Sequence, residues 1–119
     1  MTRGTTPVNT FQTDADLSDA QVIYITYSQK GRVIIEKQKS DLTIVSLTVH
    51  DPVSGEDTRV GTSLSVTLTQ QDTLAFMEGD VDIQIRARFY PETGVTVTPA
   101  LASDIITVPV KKILKEGVI

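Results

Sequence analysis

Asp80-Val81-Asp82-Ile83-Gln84-Ile85-Arg86-Ala87-Arg88-Phe89 is the stretch that decides the fold. Val81, Ile83, Ile85, Ala87 and Phe89 fall at every second position, and carboxylates, an amide and guanidinium groups fill the sites between them. Successive side chains of a strand point to opposite faces, so this spacing gives one dry face and one wet face. That is the pattern of a half-buried antiparallel strand. Thr62 to Thr69 repeats it, with Leu64, Val66 and Leu68 inward and Ser63, Ser65, Thr67 and Thr69 outward.

Outward from the first strand, Tyr90-Pro91-Glu92-Thr93-Gly94 has turn chemistry and predicts a hairpin from Val81–Phe89 into a strand over Val95 to Thr98. Ala20 to Ser28 and Arg32 to Gln38 flank Gln29-Lys30-Gly31 and predict a second hairpin. Leu42 to His50 reads as a strand stopped by Asp51-Pro52, followed by a long mobile polar loop over Asp51 to Gly61. Gln70 to Phe76 breaks the alternation and predicts one helical turn bridging two sheets, with Leu74 and Phe76 beneath it. A strand over Asp104 to Val110 contains Pro109, which cannot donate to a ladder, so it belongs at an edge or bulge.

Composition agrees: 14 Val, 11 Ile and 17 Thr among 119 residues favour strands, because β-branched side chains suit a pleated surface. Seven or eight short strands with frequent turns and at most one helical turn predict an all-β, immunoglobulin-like antiparallel sandwich; a small, partly open barrel is the alternative. One domain over residues 1–119 is expected, with 1–6 and 111–119 as terminal arms. The antibody disulfide and tryptophan are missing, so the comparison concerns architecture.

Cysteine is absent, which excludes disulfides, thiolate metal sites and a cysteine nucleophile. No segment has the apolar run of a signal peptide or a membrane span, so a soluble protein without a membrane partner is expected. The net charge of -4 disfavours nucleic acid unless Arg86, Arg88, Lys111, Lys112 and Lys115 gather on one face; alternating charges are ordinarily a strand's solvated side.

Catalytic signals are sparse. His50 beside Asp51 resembles half a triad, without a nucleophile elbow or an oxyanion signature, and reads better as a surface histidine at a turn. Asp14, Asp16 and Asp19 place three carboxylates in six residues, the weak candidates for a calcium site; Asp and Ser also build caps and turns, which is the favoured reading. No phosphate-cradling glycine motif occurs, and no catalytic residue, metal or cofactor is expected. Tyr24, Tyr27 and Tyr90 are candidates for stacking a sugar, but Tyr24 and Tyr27 are three positions apart and must face opposite sides of one strand, so at least one belongs to the core.

The opening Met1-Thr2-Arg3-Gly4-Thr5-Thr6-Pro7, the stretch Val66-Thr67-Leu68-Thr69-Gln70-Gln71-Asp72-Thr73-Leu74, Ala100-Leu101-Ala102-Ser103-Asp104-Ile105-Ile106 and the closing Ile113-Leu114-Lys115-Glu116-Gly117-Val118-Ile119 resemble small proteins encoded among prophage tail and baseplate genes of Gram-positive bacteria. The resemblance implies a non-enzymatic virion or tail-region component, made in the bacterial host cytoplasm and assembled in repeated copies. It supplies no site residues. Partners would be other proteins, through self-association or virion contacts, by way of unprotected strand edges and of Ile113, Leu114, Val118 and Ile119 in the terminal segment. The second class of function is an adhesion or carbohydrate-binding module of the same fold.

Overall fold

The computed structural model describes every residue except Glu92 and Val95. Among the described residues eight strands are joined in chain order as β1 (Val8–Thr13), β2 (Val22–Gln29), β3 (Arg32–Gln38), a 3-10 turn (Lys39–Asp41), β4 (Leu42–His50), β5 (Asp57–Thr67), a helix α1 (Gln70–Leu74), β6 (Gly79–Arg88), β7 (Ala100–Ala102) and β8 (Ile106–Val110). They form two antiparallel sheets, one ordered β1-β5-β4 and the other β3-β2-β6, with β7 and β8 both pairing along the far side of β6. The strand order β1-β5-β4 against β3-β2-β6 followed by the β7–β8 edge is that of an immunoglobulin-like sandwich.

The decisive stretch is central. β6 pairs with β2 on one side, Ile85 opposite Ile25 and Ile83 opposite Tyr27, and with β7 and β8 on the other. Val81, Ile83, Ile85 and Ala87 are buried, as are Ile23, Ile25 and Tyr27 of β2 and Leu64 and Val66 of β5, with Phe11 of β1 packed against them. At roughly 25 cal/mol per Å² of apolar surface, each large aliphatic side chain in this layer contributes about 1.5–3 kcal/mol. Tyr27 shares the core with Phe76, ring centroids 5.9 Å apart, and its hydroxyl accepts a hydrogen bond from the Asn9 amide at 2.7 Å. Burial pushes the Tyr27 phenol above its ordinary pKa, and the Asn9 bond opposes that rise.

The turns follow from local chemistry. Lys30 (φ 52°) and Gly31 (φ 74°) both take left-handed conformations, as a two-residue type I′ hairpin requires between β2 and β3. Thr69 caps α1: its hydroxyl accepts from the Asp72 N–H while the Asp72 carboxylate accepts from the Thr69 N–H, satisfying two helix-end donors reciprocally. The helix bridges the sheets and buries Thr73, and Phe76 just beyond it is in the core, whereas Leu74 is only half-buried.

Three sequence expectations need correction. The strand facing β6 is Ala100–Ala102 in place of Val95–Thr98; Val95 lies outside the described residues, and Thr96 to Thr98 form no strand. The loop expected over Asp51 to Gly61 shrinks to residues 51–56, because β5 begins at Asp57 and pairs with β4 as far as His50. β1 has no counterpart among the expected strands, since its inward positions are Asn9, Phe11 and Thr13 and only Phe11 looks apolar in sequence.

The last two strands make one interrupted edge. Between β7 and β8, the Ser103 hydroxyl accepts the Ile85 N–H and the Ser103 N–H donates to the Ile85 carbonyl, so a serine bridges the gap in the ladder. Pro109 sits at this edge, opposite Asp80. The chain start runs alongside: Lys111 N–H donates to the Met1 carbonyl and Arg3 N–H to the Lys111 carbonyl.

Candidate interaction surface

The two sheets turn very different outer faces to solvent. On the β3-β2-β6 sheet the outward positions include Glu36, Asp82, Arg86 and Arg88, matched across the ladder by Thr26, Ser28, Tyr24 and Val22. The outward positions of the β1-β5-β4 sheet are Val8, Thr10 and Gln12 of β1, Ser63, Ser65 and Thr67 of β5, and Thr43, Val45, Leu47 and Val49 of β4. None carries a charge. Thr10 and Ser65 hydrogen-bond to one another across this face at 3.1 Å, leaving Val8, Val45 and Val49 exposed.

That sheet also projects. β5 is 11 residues long, and its first part pairs with the far end of β4 beyond the core, where residues 48–50 and 57–60 are all exposed. The radius of gyration is 17.2 Å, against about 13.5 Å for a compact domain of this length. The projecting hairpin is anchored where it leaves the core. The Arg59 guanidinium donates to Ser46 and Ser18 and pairs with Asp16. Thr62, fully buried, accepts the Leu17 N–H and donates to the Ala15 carbonyl. Gly61 meets the end of β1 so closely that a Cβ would lie 2.1 Å from the Thr13 carbonyl oxygen.

The polar candidates from the sequence find mostly structural partners. Asp16 accepts the hydroxyl and N–H of Ser18 and pairs with Arg59, contacts that hold its carboxyl below the ordinary range. Asp14 and Asp19 are exposed, and among the described residues no group of three His, Asp or Glu side chains could hold a metal ion. His50 Nδ1 lies 2.8 Å from Asp57 across the hairpin, both well exposed, while Asp51 folds its own turn by accepting the N–H of Val53. Arg86 and Arg88 stand at one end of β6, and Lys111 follows Val110, which pairs with Gly79 at the other. A strand advances about 3.3 Å per residue, so the lysines and these arginines do not form one basic face. Tyr27 is core, Tyr24 lies on the outer face beside Arg86, and Tyr90 is exposed.

The terminal candidates divide. Ile113 is half-buried, its side chain close to Gly4, while Leu114 (96% exposed), Val118 and Ile119 (87%) face solvent. This segment is held by side chains: Arg3 donates to the Leu74 and Phe76 carbonyls and pairs with Glu116, and the Gln70 amide bonds both the N–H and the carbonyl of Ile119. Sequence reasoning missed Arg3 and Gln70 because their partners are more than forty positions away.

A cleft of about 640 Å³ opens where β2 and the β3–β4 connection meet β4, lined by Gln21, Tyr24, Gln38, Ser40, Leu42 and Ile44 among others. Among the described residues no helix is long and apolar enough to cross a membrane. The fold and surfaces define an all-β sandwich with two unlike outer faces. No protein-family model, curated protein or solved structure matches the chain.

Proposed function

We propose that this protein is a non-enzymatic structural or assembly component that works through contacts with other proteins, as a phage or prophage virion or tail-region part made in the bacterial host cytoplasm. The observation that carries the reading is the uncharged outer face of the β1-β5-β4 sheet, whose Val, Thr and Ser side chains run onto a projecting hairpin. Surfaces kept in water are normally studded with charge, and a contiguous uncharged patch is what a protein interface needs at its centre. Leu114, Val118 and Ile119 add exposed apolar groups on the terminal segment. The tail-region assignment rests on the resemblance of the Met1–Pro7, Val66–Leu74 and Ala100–Ile106 stretches and the closing segment.

Mass spectrometry of density-purified particles released after DNA-damage induction of the source bacterium tests it. The chain at stoichiometric abundance is the expected result. Its absence, with phage structural proteins detected beside it, overturns the virion reading. The second reading, an adhesion or carbohydrate-binding module, is favoured by the cleft, where Tyr24 sits among amide and hydroxyl groups of the kind that hold a sugar. Glycan binding lost in Tyr24→Ala would establish it.

A further inference from the structure

We infer that the free edge of β4 pairs antiparallel with the β4 edge of a second copy, joining two β1-β5-β4 sheets into one six-stranded sheet across a two-fold axis; this rests on the reading of the protein as a self-associating component. A free strand edge is a row of unpaired N–H and C=O groups, and folded proteins blunt such edges with charge, proline, bulges or cover. Three of the four sheet edges here are blunted or short. β3 carries Arg32, Glu36 and Lys37; the β7–β8 edge is interrupted at Ser103, contains Pro109 and is flanked by the Met1–Arg3 arm; β1 is six residues long and begins directly after Pro7.

β4 is different. It spans nine residues, Leu-Thr-Ile-Val-Ser-Leu-Thr-Val-His, with no proline, lysine, arginine or carboxylate. Its one register shift, between Leu47 and Thr48, leaves the extra residue, Val60, on β5, so β4 itself stays regular. Beyond its first residue, Leu42, whose N–H closes the preceding turn on the Lys39 carbonyl, none of the non-ladder backbone hydrogen bonds among the described residues reaches it.

The occupant is a second copy because the strand is complementary to itself. An antiparallel pairing centred on Ser46 sets Val45 opposite Leu47 of the second copy and Thr43 opposite its Val49, all on the uncharged outer face. Apolar and β-branched cross-strand pairs stabilise such ladders, and no like charges meet on the outer face; on the inner side the Arg59 that bonds each Ser46 is paired with Asp16. Val45 and Val49 are exposed on that outer face and would be covered by the pairing. The closed two-fold pairing uses up both edges and so ends at a dimer.

Sedimentation over a concentration series, with the full chain, tests this. The unaltered chain should reach twice its 13.0 kDa mass. Val45→Lys with Leu47→Lys puts lysine opposite lysine twice and should weaken the dimer at least about tenfold. Val45→Lys with Leu47→Glu sets opposite charges together in this register alone and should restore it. The chain has no cysteine, so Ser46→Cys, on the two-fold axis, should give a disulfide-linked dimer on oxidation, and Thr26→Cys on the other sheet should not. A monomer at every concentration overturns the inference, even if particle mass spectrometry finds the chain in virions. A dimer untouched by the lysine pair overturns the β4 contact while leaving self-association standing.

Discussion

The two outer faces of this sandwich are built on the same backbone geometry, yet only one is dressed for water. The β3-β2-β6 sheet turns out Glu36, Asp82, Arg86 and Arg88, and its wet groups find local partners: Thr26 donates to Glu36, and Thr107 to Asp82 at 2.9 Å. The β1-β5-β4 sheet turns out valine, threonine and serine with no charge. Both sheets contribute to one core, although the inward residues of β2 and β6 are buried and those of β1 and β4 only half-buried. The lack of charge on the outer face of the β1-β5-β4 sheet supports the proposal that it is a contact surface.

The largest effects should therefore come from inside and be alike on the two sheets. Ile85→Ala from one sheet and Leu64→Ala from the other should each cost about 2–5 kcal/mol in chemical denaturation. A change below about 0.5 kcal/mol at either would break the claim that both sheets share one core. Next comes Gly61→Ala, which drives a Cβ to 2.1 Å from the Thr13 carbonyl where β1 and β5 meet. Overpacking against backbone of this kind should cost about 3 kcal/mol and loosen the uncharged sheet first, read as faster amide exchange in β1.

A smaller, pH-dependent effect belongs to the link between the sheets. Partial burial pushes the Asp72 carboxyl up, but the Thr69 N–H and the Lys37 ammonium, 2.9 Å away, more than offset it and hold the group below its ordinary pKa. Its folded pKa is thus lower than its unfolded one. The stabilisation is full above about pH 4 and fades as pH falls through the folded value. Asp72→Asn should lower stability by about 1 kcal/mol at pH 7, and the difference from the unaltered chain should shrink as the pH falls, in paired thermal melts. The smallest effects are at the surface. Arg86→Gln and Val45→Thr should each change stability by less than about 0.5 kcal/mol. The comparison sharpens if only Val45→Thr alters self-association, and fails if Arg86→Gln alters it as much.

Legibility followed how much apolar contrast a segment carries. β6, β2 and the first half of β4 were readable because burial alternates with exposure along them, β3 was placed by the Lys30-Gly31 turn before it, and the helical turn before Phe76 carried its own chemistry. β1 was not, since its inward side offers an amide, a phenylalanine and a threonine, and Asn9 is tolerated inside only because Tyr27 accepts its hydrogen bond. The start of β5 was lost for the opposite reason: beyond the core, Asp57 to Val60 have no dry side and so no alternation. The edge strand after β6 was placed too early because the turn residues at Pro91 and Gly94 suggested an immediate return, whereas pairing resumes only at Ala100.

By itself the sequence determined the all-β class and favoured a sandwich over a partly open barrel, since period-two alternation gives each strand one dry face and β-branched residues favour strands. It also determined that cysteine chemistry is absent and that the charge of the chain is modestly acidic. Tertiary structure alone decided which outward faces lie together, because charge on a face is a property of neighbouring strands and not of any one of them. The uncharged face exists only once β1, β5 and β4, drawn from positions 8 to 67, are set side by side. The same holds for the free edge of β4: Pro109 marks its own strand as an edge in the sequence, but β4 carries no such residue, and that it ends a sheet depends on pairing between distant segments.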